Sequence, residues 1–462
     1  MDAALTTAAP DRRHRPGRAA WLLGPALVAG VAYLDPGNVA SNMTAGAVFG
    51  YLLVWVVVLG NVMAWLIQYL SAKLGIVTGE SLPQVLGRRI RRPWARRAYW
   101  LQAELVAMAT DVAEVIGGAV ALNLLFGVPL VWGGAITGVV SMLLLVVQSR
   151  RGARAFETVL IGLLVIIAAG FTFGLFLAPP DAGSVVEGLV PRFEGTSSVL
   201  LAASILGATI MPHAIYAHSA LTRDRFAPAA PATTPATGAT AGPTTDAFPT
   251  AATPAEATPP ARAPVAASGA DLERARGIAT PRLLRATRWD VTIALAVAGT
   301  VNLAILLLAA ANLAGVDGTD SLEGAYTALR DGLGPLVATM FAVGLLASGL
   351  ASTSVGAYAG AEIMHGLLRV RVPLLARRLV TLLPALGILA LGVDPTLALV
   401  LSQVVLSFGI PFALVPLVAL TARRDLLGAY RNRMLTTVAG VLASLFLITL
   451  NGVLLWLVFT GA

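Results

Sequence analysis

Eleven apolar stretches of bilayer-crossing length divide this chain, and they leave it few ways to fold except as a bundle of membrane-spanning helices. They lie near 20–44, 48–70, 98–126, 131–148, 155–178, 196–221, 289–312, 333–363, 378–392, 396–420 and 435–459. About 20 apolar residues cross a hydrocarbon core. Inside lipid a helix satisfies its own backbone, so an all-α polytopic membrane protein is expected. The balance of residues agrees, with 57% hydrophobic and only 12% charged. The arginine-rich start runs into a segment with Asp35 at its middle and no small-residue cleavage pattern follows, so no cleavable signal peptide is expected.

Charge gives the topology. If the N-terminus lies inside, all Lys and Arg residues except Arg192 and Arg330 fall on the cytoplasmic side, and the C-terminus lies outside. A miscounted helix would have split that distribution. The net charge of +8 then reflects topology and attraction to anionic membrane lipid, with no nucleic-acid partner expected. The outer loops carry Asp181, Glu187, Glu194, Asp317, Asp320, Glu323, Asp331 and Asp394. They either raise local cation concentration or are ordinary solvated loops. Cysteine is absent, which excludes disulfides, thiolate metal sites and iron–sulfur clusters.

Two spans carry the wrong residues at mid-membrane: Asp35-Pro36-Gly37-Asn38 in the first and Met211-Pro212-His213 in the sixth. Proline removes a backbone donor, so each helix should open there and free carbonyls to bind something. Each break begins a run of five spans. Five is odd, so the runs enter from opposite sides as inverted repeats, with an eleventh helix left over. The expected division is a cytoplasmic tail over 1–19, a first five-helix repeat over 20–178 and an external loop over 179–195. A second repeat follows over 196–420, with a cytoplasmic loop and the last helix over 421–462. Residues 226–270, almost entirely Ala, Pro and Thr, read as a disordered cytoplasmic insertion in the second repeat. The basic stretch Leu272 to Arg288 reads as an interfacial helix leading into the seventh span.

Asp35 offers a hard anionic oxygen, Asn38 a neutral one and Met211 a soft thioether. Alkali and magnesium ions gain little from sulfur, so the mixed set suits a divalent transition metal. Methionine also fills gaps, and only its place beside Pro212-His213 favours ligation over packing. A second cluster, Glu104, Thr110, Asp111 and Glu114, lies in the third span, with Asp111 and Glu114 on one helix face. Such carboxylates either carry protons, with His213 and His218 as natural partners, or pair structurally across the bundle. Gln403 in the tenth span offers the metal an oxygen or joins helices. Arg377 and Arg378 either snorkel to the inner surface or pair with a carboxylate of the proton path. No chemistry is assigned to His14 or His365, at or beyond membrane ends.

These residues resemble a known family. Asp35-Pro36-Gly37-Asn38, Ala109-Thr110-Asp111-Val112-Ala113-Glu114, and Gly207-Ala208-Thr209-Ile210-Met211-Pro212-His213 with His218-Ser219 are similar to the motifs of the Nramp proton-coupled divalent-metal transporters, in the same order. The resemblance covers essentially all of 20–459 outside the insertion. It implies a LeuT-like fold in the bacterial cytoplasmic (inner) membrane, importing Mn2+ and Fe2+, and also Cd2+, Co2+ and Zn2+ to differing degrees, together with H+. By family pattern the metal contacts are Asp35, Asn38, Met211 and the Ala208 carbonyl, joined in some states by the Ala32 carbonyl and Gln403. The same pattern routes protons through Asp35, His213, Glu114 and Asp111 near an arginine of the ninth span, for which Arg378 is the candidate, with Glu104 and His218 as further members.

Neither a resident cofactor nor an obligate protein partner is implied. A cation channel would need a continuous pore, whereas paired broken helices favour a gated carrier. A sodium-coupled amino-acid transporter shares the architecture, yet Asp35 and Met211 suit a bare cation better than a zwitterion. An enzyme would need a larger polar set facing water.

Overall fold

Helices form where the apolar segments lie. The computed structural model describes residues 24–151, 153–226, 269–370 and 374–460, and all regular structure among them is helical. The tail 1–19 with His14, and all but the edges of the 226–270 insertion, lie outside the described residues.

The first span is two half-helices. Helix α1 (Pro25–Val31) tightens into a 3-10 turn at Ala32–Leu34, breaks at Asp35 and resumes as α2 (Pro36–Phe49). Pro36 forces the residue before it out of the helical region, and Asp35 accordingly sits at φ −73°, ψ 161°. The next spans are α3 (Val54–Thr78), α5 (Pro93–Phe126), α6 (Leu130–Arg151) and α7 (Ala153–Leu177), with short α4 (Leu82–Arg89) before α5 and α8 (Ala182–Glu187) after α7. The same device recurs in the sixth span. Helix α9 (Gly195–Thr209) ends, Met211 takes an extended ψ of 118°, and α10 (Pro212–Arg225) restarts with proline in its first turn.

The remaining helices are α11 (Gly269–Arg276), α12 (Thr280–Asn312), α13 (Leu322–Leu333), α14 (Pro335–Leu368), α15 (Leu374–Ala390), α16 (Pro395–Ala422), α17 (Arg424–Leu427) and α18 (Met434–Thr460). Eight helical spans among the described residues are long and apolar enough to cross a membrane, counting α9 with α10 as one. Residues Pro25–Leu34 and Leu130–Leu144 form shorter apolar helices. The basic stretch after the insertion differs from expectation. It is two helices, parted at Gly277 with φ +67°, and the second runs unbroken into the membrane as α12. A positive φ suits glycine, which stops α11 there.

The two broken helices run in opposite directions. Thr44 and Val48 near the end of α2, and Ser197 and Leu201 near the start of α9, line one cavity at the end of the bundle away from the arginine-rich loops. The second broken helix therefore enters where the first one leaves.

Glycines bring the halves together. A β-carbon on Gly117 of α5 would overlap the Pro36 ring, and one on Gly207 of α9 would overlap the Gln403 carbonyl of α16. These spans touch backbone to side chain and backbone to backbone, the small-residue packing that membrane helices use. Gly207→Ala should therefore lower stability by about 1–3 kcal/mol, the usual cost of overpacking. A thermal melt in detergent reads this, and an unchanged midpoint would mean that α9 and α16 can part freely.

Candidate metal site

Proline restarts leave orphan groups on both sides of each break, three backbone donors after it, since proline itself has none, and the last carbonyls before it. Asp35 takes up two of the donors as the N-cap of α2: its Oδ2 accepts from Gly37 N at 3.2 Å and its Oδ1 from Asn38 N at 3.0 Å. Gln403 Nε2 donates to the same Oδ2 at 3.1 Å. A carboxylate offers about four lone-pair positions, so three hydrogen bonds leave it able to ligate. Gly37 is required by this arrangement, because a β-carbon there would occupy the place of the Gln403 amide.

Asn38 links the breaks. Its Nδ2 donates to Tyr33 O at 2.5 Å, in the last turn before the first break, and to Ala208 O at 3.4 Å, in the last turn before the second. Ala208 and Met211, like Asp35, Asn38 and Gln403, are fully buried. One carboxylate, one amide on α2, the Gln403 amide and freed carbonyls thus belong to one buried region, and Met211, also buried, lies three residues beyond Ala208 at the second break. Gln403 Oε1 is buried there with no hydrogen-bond partner, an acceptor that a cation would satisfy. Among the described residues no three His, Cys, Asp or Glu side chains converge as metal ligands, so the mixed set around Asp35 has a single negative charge. Of the carbonyls in the first break, it is Tyr33 that Asn38 reaches, one residue beyond Ala32; Tyr33 O also accepts from Asn302 Nδ2 at 3.0 Å.

The site is closed at both ends. The cavity lined by Thr44, Leu201 and Val400 has a volume of about 410 Å³ and reaches no deeper along α2 than Thr44, six residues beyond Asn38. Between Thr44 and Asn38 along α2, Ser41 Oγ and Ser204 Oγ lie 2.6 Å apart, and Ser204 also donates to Val400 O. Towards the arginine-rich end, Arg223 of α10 makes a two-pronged ion pair with Glu362 of α14, at 2.6 and 3.1 Å. Ser81, the N-cap of α4, donates to Glu362 at 2.6 Å, and Tyr358 donates to Asp224. Three elements are tied across that mouth.

The carboxylates of α5 form a ladder with the two arginines of α15. Arg377 binds Glu104 Oε1 at 3.0 Å and Asp111 Oδ2 at 3.4 Å; Arg378 binds Asp111 Oδ1 at 2.9 Å and stands 3.5 Å from Glu114 Oε2. Arg378 also donates to Ser141 and Thr353. Both arginines are buried, so they pair with carboxylates and do not snorkel. Glu114, one helical turn before Gly117 and its Pro36 contact, has neither carboxylate oxygen hydrogen-bonded.

The histidines do not join that ladder. His213 Nδ1 lies 3.1 Å from Thr110 Oγ1, on the same helix as the carboxylates, and its Nε2 is unpartnered. His218 Nδ1 lies 2.8 Å from Gln68 Oε1, beside a small cavity shared with Tyr33 and Ala294. The expected pairing of both imidazoles with Asp111 and Glu114 is thus replaced by neutral partners, because Thr110 of α5 and Gln68 of α3 face the two histidines of α10 at those heights. Ser41, Asn42, Gln68, Ser204 and the Tyr33 carbonyl were not singled out from sequence. Asn42 had a signal available, a polar residue four positions after Asn38 and so on the same helix face.

Residues 26–457 match the family described as Natural resistance-associated macrophage protein-like (Nramp). The chain is 55% identical over 441 residues to the divalent metal cation transporter MntH of Mycobacterium tuberculosis, covering 96% of this chain and 92% of that one. It superposes on the crystal structure of the Eremococcus coleocola manganese transporter with a TM-score of 0.74, at 30% identity over 94% of this chain and 85% of the other. MhsT, solved with L-phenylalanine, shares the fold at a TM-score of 0.54 and 14% identity, over 94% of this chain and 99% of its own. The architecture is the LeuT-like one, and the curated relatives are transporters, not enzymes.

Proposed function

The chain belongs to the Nramp family, and from that premise we propose that it imports Mn2+ and Fe2+, with Cd2+, Co2+ and Zn2+ as further cargo, driven by protons through alternating access. The observation that carries this reading is the meeting of the two breaks: Asn38 reaches the Ala208 carbonyl beside a buried Asp35 whose Gln403 neighbour has an unsatisfied oxygen. The carbonyl ends of α1 and α9 are the negative ends of their dipoles and favour a cation. Asp35 supplies the charge, Asn38, Ala208 and Gln403 the neutral oxygens, and Met211 the soft donor; Ala32 enters only if α1 shifts.

The arginine–carboxylate ladder offers protons a route from the level of Pro36 towards the arginine-rich end, through Glu114, Asp111 and Glu104, with Arg378 and Arg377 holding the carboxylates in register. His213 follows Met211 by two residues and is hydrogen-bonded to Thr110, the neighbour of Asp111 on α5, so it bridges the metal site and the ladder. His218, hydrogen-bonded to Gln68, stands off the ladder. The distribution of arginines supports an N-terminus inside and a C-terminus outside the cytoplasmic membrane, which makes the 410 Å³ cavity an external vestibule and the Arg223–Glu362 pair an internal closure. Purified protein in vesicles, given Mn2+ with a pH gradient imposed or collapsed, tests the whole reading. Gradient-dependent uptake with acidification of the lumen is expected, and sodium-driven amino-acid uptake in its place would overturn it.

Met211 decides selectivity in this scheme. A transition ion loses a bonding partner when the thioether goes, whereas a hard ion does not. Met211→Ala should keep Mn2+ uptake at lower affinity and lose most of the discrimination against Ca2+ and Mg2+. Competition uptake reads the ratio, and an unchanged preference would assign Met211 to packing.

A further inference from the structure

Asn42 is fully buried on α2, one turn beyond Asn38, and belongs to neither the ligand set nor the proton ladder. Its Nδ2 donates to Asn38 O at 2.9 Å and to Asn38 Oδ1 at 2.8 Å, while its own Oδ1 is buried without a partner. This fixes the Asn38 amide with its oxygen turned away from the breaks. The Asn38 nitrogen then faces the carbonyls of Tyr33 and Ala208, a donor placed where a cation would satisfy the same oxygens.

An amide cannot ligate through that nitrogen, which has no free lone pair. For Asn38 to offer Oδ1 to a metal, its amide must turn by about half a revolution about a torsion that is soft at an sp3–sp2 bond. Its NH2 then faces Asn42, which must present an acceptor in place of the donor it shows now. The unpartnered Asn42 Oδ1 is that acceptor. Tyr33 O keeps a donor throughout, since Asn302 Nδ2 stays 3.0 Å from it.

We propose that Asn42 is a positioning residue that inverts its amide together with Asn38, so that the pair holds the Asn38 nitrogen against the Tyr33 and Ala208 carbonyls in one orientation and turns the Asn38 oxygen onto the metal in the other. The inference rests on Asn38 being a metal ligand. Groups that orient a ligand typically contribute about 10- to 100-fold in metal affinity. The effect should depend on the metal, because an amide oxygen matters more to the harder Mn2+ than to Cd2+, which keeps the thioether.

Three proteins distinguish the outcomes: wild type, Asn42→Leu, which can neither donate nor accept, and Asn42→Asp, whose side chain is a permanent acceptor. Calorimetric titration of each with Mn2+ and with Cd2+, alongside a thermal melt, is the measurement. Asn42→Leu should weaken Mn2+ by about 10- to 100-fold and Cd2+ by clearly less, and Asn42→Asp should bind Mn2+ at least as tightly as wild type. Equal losses for both metals in Asn42→Leu, or a Mn2+ loss that Asn42→Asp shares, would overturn the inference and leave Asn42 a packing residue. If Asn42→Leu does not fold, Asn42→Asp against wild type still decides, since a weakened Mn2+-to-Cd2+ ratio there contradicts the switch. Wild-type protein that binds no Mn2+ at all would instead remove the metal assignment, and the inference with it.

Discussion

Asp35→Asn is expected to abolish measurable Mn2+ binding while the protein stays folded in the membrane. The site has one negative charge, and the neighbouring donors are an amide, carbonyls and a thioether, none of which replaces a carboxylate for a divalent ion. Asparagine is also a good N-cap, but it has one acceptor oxygen where Asp35 uses two, so this variant keeps one of the bonds from Gly37 N and Asn38 N while removing the charge. Asp35→Ala loses the cap as well, at an added cost of about 1 kcal/mol in stability, and should be equally silent in transport. Calorimetry with Mn2+, paired with a thermal melt of each variant, separates charge from capping. Wild-type affinity in Asp35→Asn would show that the ion is held elsewhere.

The second large effect concerns the carboxylate ladder, where the structure divides two residues that look alike in sequence. Asp111 receives both Arg377 and Arg378, so Asp111→Asn leaves two buried guanidinium groups facing a neutral amide. Breaking a buried ion pair from one side costs about 3–5 kcal/mol, and Asp111→Asn should therefore lower the thermal midpoint as well as proton flux. Glu114 receives only one arginine, Arg378 at 3.5 Å, so Glu114→Gln removes a titratable group at a smaller structural loss than Asp111→Asn. It should retain Mn2+ binding and thermal stability but lose or decouple proton movement. Parallel Mn2+ uptake and luminal pH measurements on Glu114→Gln are the cleaner test. Normal proton flux in that variant, with the destabilisation confined to Asp111→Asn, would make the ladder structural and leave Asp35 and His213 as proton carriers.

Much of this molecule is local chemistry, and local chemistry is legible in sequence. Proline at positions 36 and 212, each beside polar residues at mid-span, removes a backbone donor and disfavours helical geometry at the residue before it, so both breaks are legible in the chain. Pro384, Pro411 and Pro416, by contrast, sit inside continuous helices. Apolar length gives the spans, arginine distribution gives their expected orientation, and the odd count between the breaks gives the opposed entry of the two broken helices. The candidate ligands Asp35, Asn38 and Met211 were visible for the same reason, since each lies within two residues of a proline that opens the backbone, whereas the Ala208 carbonyl entered only through the family resemblance.

Partnership is another matter, because it depends on rotation and depth of helices far apart in the chain. Asp35 meets Gln403 across 368 positions, and Arg377 meets Glu104 across 273. A helix turned by one residue would have brought different groups together, and no periodicity in the sequence specifies that turn at each height. Hence His213 found Thr110 and His218 found Gln68 in place of the carboxylates, and both arginines of α15 went inward. The amide of Asn42 was likewise open to many partners on an apolar helix. Only close packing around Gly37, Gly117 and Gly207, where no side chain larger than hydrogen fits, fixed which donor faces which acceptor.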